Sequence, residues 1–339
     1  MATDVQWGIL GNATIARKCV IGAIQRSRNG RLRALASRSP EEASKIVRRH
    51  DIQVLYEEYD ALLADAAITA VYIPLPNHLH RSWTLKALAA GKHVLCEKPM
   101  ACNTQEAQEM ARAAEASQRL LMEAFMYRFH PRSRRIKAMV DAGEIGSLRF
   151  VRAAFTYAMD ANRLKQGDNA RLRPEMGGGA LLDVGCYGVS VARWMMNDEP
   201  RHVQAQASFH PSGADWHLVG MLDFGHSRMA VVEASFVSAL QQTFSVVGTH
   251  GAIELPHNAF IPWDRQAVFT LRKRDEENGT PYRIAGTDEY QLMVEHFADA
   301  VLGQAPLAYS PAESIANLRV LDALKKAAQK QCHVALETE

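Results

Sequence analysis

Between Val5 and about Phe125 the chain repeats one pattern, a short apolar run followed by an amphipathic stretch, and few folds accept that repetition. Val5 to Leu10, Leu32 to Ser37, Ala70 to Leu75, His93 to Glu97 and Leu120 to Phe125 read as strands. The stretches between them read as helices, Ser44 to His50 and Ser82 to Ala90 among them, the latter closed by Gly91 at a C-cap position. Strands joined through helices run parallel, with crossovers on both faces. Residues 1–125 are therefore expected to form a doubly wound α/β domain with a parallel sheet.

The period changes after about residue 145. Val203, Ala205, Ala207 and Phe209 alternate with His202, Gln204, Gln206 and Ser208, the period-two signature of a strand. Similar signals lie at Leu148 to Tyr157, Leu218 to Phe224, Met229 to Ser238, Thr243 to Gly248 and Ala267 to Arg272. Three helices accompany them, Ala180 to about Asn197, Glu289 to Leu302 and Pro311 to Lys330. Residues 126–339 thus predict an α+β domain built on a large, mostly antiparallel open sheet with one polar face. No repeat or low-complexity linker separates the halves, so two packed domains with a cleft between them are expected.

A chain of 339 residues, 47% of them hydrophobic, can bury the cores of two domains. Its formal net charge of +2 provides no field for nucleic acid or anionic lipid, which leaves a small molecule as the expected partner. No apolar run approaches the roughly 18 to 20 residues of a membrane span. Met1 to Val5 enters the first strand with no charged-then-apolar leader, so a cytoplasmic protein is expected. Cys19, Cys96, Cys102, Cys186 and Cys332 are scattered with no Cys-x-x-Cys pair, which predicts buried thiols rather than disulfides or a zinc site. His78 and His80 have no carboxylate or cysteine at a useful spacing, and no metal is expected.

The first strand leads into Gly11-Asn12-Ala13-Thr14-Ile15-Ala16 and then a helix, the context a dinucleotide fingerprint requires. Gly11 permits the tight turn, and the amides at the helix start can hold a pyrophosphate with help from the helix dipole. Ala13 departs from the pattern, placing a methyl group where the second glycine lets the backbone approach the phosphates. About twenty residues on, where a carboxylate would bind the ribose 2′-hydroxyl of NAD, the strand ends in Ser37-Arg38-Ser39. A guanidinium and hydroxyls suit a 2′-phosphate, so NADP is favoured over NAD. The next strand, ending at Pro74, Leu75, Pro76 and Asn77 and followed by His80, stops where a doubly wound sheet binds ligand, and its backbone can line the cofactor.

The strand at His93 to Glu97 delivers Cys96-Glu97-Lys98-Pro99. With the preceding motifs in this order, the chain resembles the glucose-fructose oxidoreductase, inositol dehydrogenase and rhizopine-catabolism (Gfo/Idh/MocA) oxidoreductases over essentially its whole length. Glu97-Lys98-Pro99 matches that family's signature tripeptide, in which the resemblance makes the lysine catalytic. Ile73-Pro74-Leu75-Pro76-Asn77 and the run Gly177 to Tyr187 look most like the branch containing glucose-fructose oxidoreductase, NADP-dependent D-xylose 1-dehydrogenase and dimeric dihydrodiol dehydrogenase. Tyr187 stands where inositol-dehydrogenase-like members carry histidine, which turns the reading away from that branch.

Asp183 and Tyr187, four apart on a helix that starts after three glycines, are expected to project from one face. A positively charged nicotinamide beside Lys98 would lower the pKa of the lysine and make a neutral, proton-accepting amine accessible. The resemblance places Glu123 to Pro131 near the nicotinamide and substrate. Tyr127 and His130 are accordingly candidates for substrate and Arg128 for cofactor, the other reading of the segment being a domain hinge with ordinary packing. The polar stretch Asp160 to Met176, with Arg163, Arg171 and Arg173, reads either as a lid that hydrogen-bonds sugar hydroxyls, Arg171 foremost, or as a solvated loop. The cofactor set is then Gly11, Asn12, Ala13, Thr14, Ile15, Ser37, Arg38, Pro74, Leu75, Asn77, His80, Glu97, Lys98 and Arg128, and the catalytic set Lys98, Tyr187 and Asp183.

These residues point to NADP-linked oxidation of a sugar-like CH–OH group, or reduction of the corresponding carbonyl, with Tyr187 or Lys98 as proton acceptor. Two other readings share the fold: an NAD-dependent glycosidase acting by transient oxidation, and a non-catalytic dinucleotide or sugar sensor. The resemblance further implies a homodimer or homotetramer joined through the sheet of the second domain. The long N-terminal arm with which glucose-fructose oxidoreductase retains its cofactor is missing, so an exchangeable cofactor is expected.

Overall fold

A computed structural model describes residues 4–167, 169–263 and 265–336. The reading of the first residues from Met1, and Asp168 within the polar stretch, lie outside the described residues. The chain divides into two compact units, one holding the residues up to Phe129 together with Asp288–Ile315, the other His130–Thr287 together with the residues from Ala316 on.

In the first unit the strands are β1 (Val5–Leu10), β2 (Gly30–Ala36), β3 (Val54–Tyr56), β4 (Ala70–Ile73), β5 (His93–Cys96) and β6 (Leu121–Glu123). They form one parallel sheet of order β3-β2-β1-β4-β5-β6, the doubly wound Rossmann arrangement. The order reverses between β1 and β4, where Trp7, Gly8 and Ile9 pair with Ala70, Val71 and Tyr72. Trp7, Ile9, Leu10, Val71, Ile73, Val94 and Leu95 are fully enclosed, because a sheet covered by helices on both faces has no wet side. Of these strands only β3 gave no sequence signal.

Local chemistry sets the helix ends. Asn103 caps Thr104–Ser117 by accepting from the Glu106 amide at 2.9 Å, and Glu106 reaches back to the Cys102 amide at 3.0 Å, in the manner of a capping box. The unit also takes back a late segment of chain. The helix Glu289–Val301, capped by Asp288, puts Phe297 against Trp7 with ring centroids 5.6 Å apart, and Asp299 accepts from Asn29 at 2.7 Å. The second unit is therefore not the continuous stretch from residue 126 that the sequence suggests: 288–315 pack with the first.

The second unit contains β7 (Leu148–Ala158), β8 (His202–Phe209), β9 (Asp215–Gly225), β10 (Arg228–Ser235), β11 (Val237–Gly248), β12 (Gly251–Leu255), β13 (Ala267–Lys273), β14 (Thr280–Ile284) and β15 (Val334–Ala335). Their order is β14-β13-β12-β11-β7-β10-β9-β8-β15, antiparallel except that β7 and β10 run parallel. The helix Cys186–Met196 packs on one face. A Cβ on Gly188 would stand 3.2 Å from Val232 and 3.5 Å from Ala153, so glycine permits the close approach. The opposite face is not wholly polar as expected, since Val219 and Met221, which pair with Gln206 and Gln204, are exposed there. Of the thiols, Cys19, Cys96 and Cys186 are buried as expected, whereas Cys102 is half-buried and Cys332 exposed. No described helix is long and apolar enough to cross a membrane.

Candidate active site

In the first unit the loops that follow the parallel strands bring several predicted residues to one edge of the sheet. Gly11 has φ +103°, its amide donates to the Ala36 carbonyl at 2.8 Å, and a Cβ there would stand 2.7 Å from Leu75 Cδ2. Glycine is thus required twice, for the left-handed backbone and for the contact with the chain leaving β4. Helix geometry begins at Thr14 and widens into a π-helical turn at Ala16–Val20, a form that often marks functional sites. Asn12 Oδ1 is buried with no hydrogen-bond partner among the described residues. An unpartnered acceptor beside helix amides that lack intrahelical acceptors leaves polar groups for a ligand to complete, and a dinucleotide suits the place.

At the end of β2 the Ser37 amide donates to the Tyr56 carbonyl at 2.9 Å, and the Ser37 hydroxyl accepts from the Ser39 amide at 3.2 Å. Ser37 is buried and organises the turn. Arg38 projects from it, exposed.

The turn after β5 carries Lys98, half-buried, and the Lys98–Pro99 peptide is cis. Glu97 accepts the Tyr72 hydroxyl at 2.5 Å on one oxygen and the Lys98 amide at 3.2 Å on the other. Burial, then the Glu97 charge, holds the Tyr72 phenol well above its usual range and keeps it a donor. Glu123, whose pKa burial raises to about 7, accepts from the Met100 amide at 2.9 Å. His80 is wholly enclosed against the carbonyls of Leu75 and Pro99. Tyr127 is fully buried, edge-on to Phe125 with centroids 5.9 Å apart. Arg128 lies 4.6 Å above the Tyr309 ring and 3.6 Å from Glu313.

In the second unit, Asp183 Oδ2 accepts from Arg171 Nε at 2.7 Å and from the Tyr157 hydroxyl at 3.1 Å. Asp183 holds the Arg171 guanidinium protonated well above its ordinary range; burial, then Asp183, raises the Tyr157 phenol. Asp183 lies in a π-helical turn, Leu181–Gly185, not in the plain α-helix the sequence suggests, and Tyr187 follows in the α-helix Cys186–Met196. Tyr187 is 3% exposed, its ring 5.3 Å from those of Phe155 and Phe260. His130 caps the helix Pro131–Asp141, its Nδ1 accepting from the Arg132 amide at 3.0 Å. The polar stretch folds into a short helix, Ala161–Gln166, and two 3₁₀ turns; Arg163 and Arg173 are exposed.

Tyr72, Glu123 and Tyr157 were not singled out by sequence. Each acts on a residue far along the chain, and only a polar group inside an otherwise apolar strand pattern marked it. Among the described residues, no three or more His, Cys, Asp or Glu side chains gather as metal ligands.

Comparison with known proteins accords with this geometry. Residues 5–125 match the model of an oxidoreductase family with an NAD-binding Rossmann fold, and residues 133–254 match the GFO/IDH/MocA C-terminal domain. A D-xylose 1-dehydrogenase (NADP(+)) from Haloferax volcanii is 36% identical over 98% of this chain and 100% of its own. A trans-1,2-dihydrobenzene-1,2-diol dehydrogenase from Xenopus tropicalis is 30% identical over 98% and 99%. A 3-ketoreductase from Actinomadura kijaniata, solved with NADP and TDP-benzene, superposes with a TM-score of 0.88 at 28% identity, covering 96% of this chain and 98% of that one. The chain belongs to the Gfo/Idh/MocA family of oxidoreductases.

Proposed function

We propose that the protein is an NADP-dependent dehydrogenase or reductase acting on a CH–OH or C=O group of a sugar or sugar-like substrate. The observation that carries this reading is the Lys98 turn, pinned by Tyr72, Glu97, His80 and Glu123 in the same unit as the Gly11 turn with its unpartnered Asn12 oxygen. Relatives named as an NADP-linked D-xylose dehydrogenase and a dihydrodiol dehydrogenase support the same substrate chemistry. Gly11, Asn12, Thr14 and Ile15 would hold the pyrophosphate, and Arg38, on the turn that Ser37 organises, the 2′-phosphate.

NADP supplies the hydride acceptor in oxidation and its reduced form the donor in reduction. Lys98 or Tyr187 takes the hydroxyl proton as the carbonyl forms, and returns it in the reverse direction. Asp183 orients the substrate. Its Oδ2 already carries Arg171 and Tyr157, which fix the carboxylate before substrate arrives.

The test is a panel of aldoses, polyols and trans-dihydrodiols assayed for NADP and NAD reduction, together with Lys98→Met. An aldose or dihydrodiol should reduce NADP at least about tenfold more efficiently than NAD. Loss of the proton acceptor should lower kcat roughly 10²- to 10⁴-fold, with NADP binding nearly unchanged. Wild-type turnover by Lys98→Met would overturn the mechanism, and no net nucleotide reduction with any substrate would favour glycosidic cleavage, if a glycoside is hydrolysed, or a non-catalytic sensor, if none is.

A further inference from the structure

Four polar main-chain groups around Lys98 are met by side chains. The Lys98 amide donates to Glu97, the Met100 amide to Glu123, the Pro99 carbonyl faces His80 Nδ1 at 2.9 Å, and the Met100 carbonyl faces Cys96 Sγ at 3.7 Å. His80, Cys96 and Glu123 are each at most 2% exposed. Residues enclosed this completely cannot serve solubility, and their polar atoms are costly to bury unless paired.

His80 differs from the others because it holds two segments at once. While Nδ1 faces Pro99, Nε2 lies 2.7 Å from the Leu75 carbonyl. Leu75 follows β4, and its Cδ2 is the atom against which Gly11 packs. One imidazole therefore spans from the chain behind the dinucleotide turn to the residue after Lys98. Two carbonyl acceptors favour a ring carrying both protons, whereas burial pushes its pKa down to about 4. Either form retains at least one N–H for the bridge, and the ring fills the gap in both.

We infer that His80 is a positioning residue for Lys98, tying the lysine turn to the Leu75 segment so that the amine is held at a fixed height relative to the nucleotide turn. This rests on reading Lys98 as a reacting group. It replaces the expectation that His80 touches the cofactor, since both ring nitrogens are engaged with main chain and the residue is 0% exposed.

The test compares His80→Ala, which loses both contacts, with His80→Gln, whose carboxamide keeps one donor. Steady-state kinetics, NADP affinity by equilibrium titration without substrate, and thermal melting are measured on each, with Lys98→Met as control. A displacement of about 1 Å at a reacting group can cost on the order of 10²-fold in rate, so kcat should fall at least tenfold in His80→Ala and partly recover in His80→Gln. The NADP Kd and the substrate KM should stay within about threefold. Folded His80→Ala with wild-type kcat would overturn the assignment. So would a raised NADP Kd with full kcat at saturating NADP, which would make His80 a cofactor contact. Should His80→Ala fail to fold, His80→Gln decides: a lowered kcat at unchanged NADP Kd supports the role, a wild-type kcat refutes it. If Lys98→Met turns over normally, the reading of Lys98 fails first; an inactive Lys98→Met beside a fully active His80→Ala sinks the positioning role alone.

Discussion

In the proposed function, Arg38 is the residue that would carry the choice between the two nicotinamide nucleotides. The Ser37 hydroxyl is committed to the Ser39 amide at 3.2 Å, so the exposed guanidinium is the group left to meet a 2′-phosphate. Charge-assisted pairing of this kind contributes about 1.5–3 kcal/mol, which corresponds to roughly 10- to 100-fold in affinity. Arg38→Ala should weaken NADP by that factor and leave NAD within about threefold, read by fluorescence titration of both nucleotides. Equal weakening of the two would mean that Arg38 stacks on adenine instead. Gly11, Arg38, Lys98 and Asp183 stand out in sequence as candidates because each sits in a motif whose members are local to it. Tyr157 does not, since it meets Asp183 only through the packing of β7 beneath the helix start, across 26 positions of sequence. His80 was visible as a residue but not in its role: nothing in Pro76-Asn77-His78-Leu79-His80 says that the second histidine turns inward onto two carbonyls.

At the scale of elements, the start of the helix bearing Asp183 is shaped by its glycines. A Cβ on Gly178 would lie 2.7 Å from the carbonyl oxygens of Ala170, Arg171 and Arg173, so the segment carrying Arg171 closes directly over it. The Gly178 and Gly179 amides then donate to Arg173 and Arg171 at 2.9 and 2.8 Å. Gly179 has φ +118° and leaves room for Asp215, which accepts from the Leu181 amide at 2.7 Å. Gly178→Ala must push back main chain, and overpacking of this sort costs about 1–3 kcal/mol. The variant should melt several degrees lower and show a raised substrate KM as Arg171 leaves Asp183; a wild-type melting curve would show that the loop yields freely. The three glycines were read in sequence as a helix start. Their second task, seating the preceding loop, was invisible, as was the π-helical turn that follows, because neither leaves a periodic signal. The short strands β3, β12, β14 and β15 escaped for a related reason, being too brief or too mixed in polarity to show a period of two.

Over the whole molecule, the alternation of strands and helices announced the parallel sheet, while the return of 288–315 to the first unit depends on contacts such as Trp7 with Phe297 that no local pattern encodes. Stability is likewise a property of the whole chain, and its pH dependence follows from buried titrating groups in both units. His93 and His130 each accept a backbone amide on Nδ1, from Leu120 and Arg132, at 3.0 Å. Burial foremost, with Arg119 and Arg132 respectively, depresses both to about 4. An unfolded histidine binds its proton near pH 6.5, so below that pH the unfolded chain takes up protons that these two folded sites refuse. Their contribution is present above pH 6.5 and is lost as the pH falls toward 4. Glu123 and Asp215, raised by burial to about 7 and about 6, act in the opposite sense, since the folded state holds their protons first as the pH drops. The wild-type profile therefore mixes opposing slopes, and a single substitution separates them. Asparagine can cap the helix Pro131–Asp141 as His130 does but does not titrate. The unfolding free energy of His130→Asn, measured by urea titration from pH 7 to pH 4.5, should rise relative to wild type by up to about 1.4 kcal/mol for each pH unit below 6.5. A difference that stays constant across that range would show that His130 takes its proton in the folded protein as readily as in the unfolded chain.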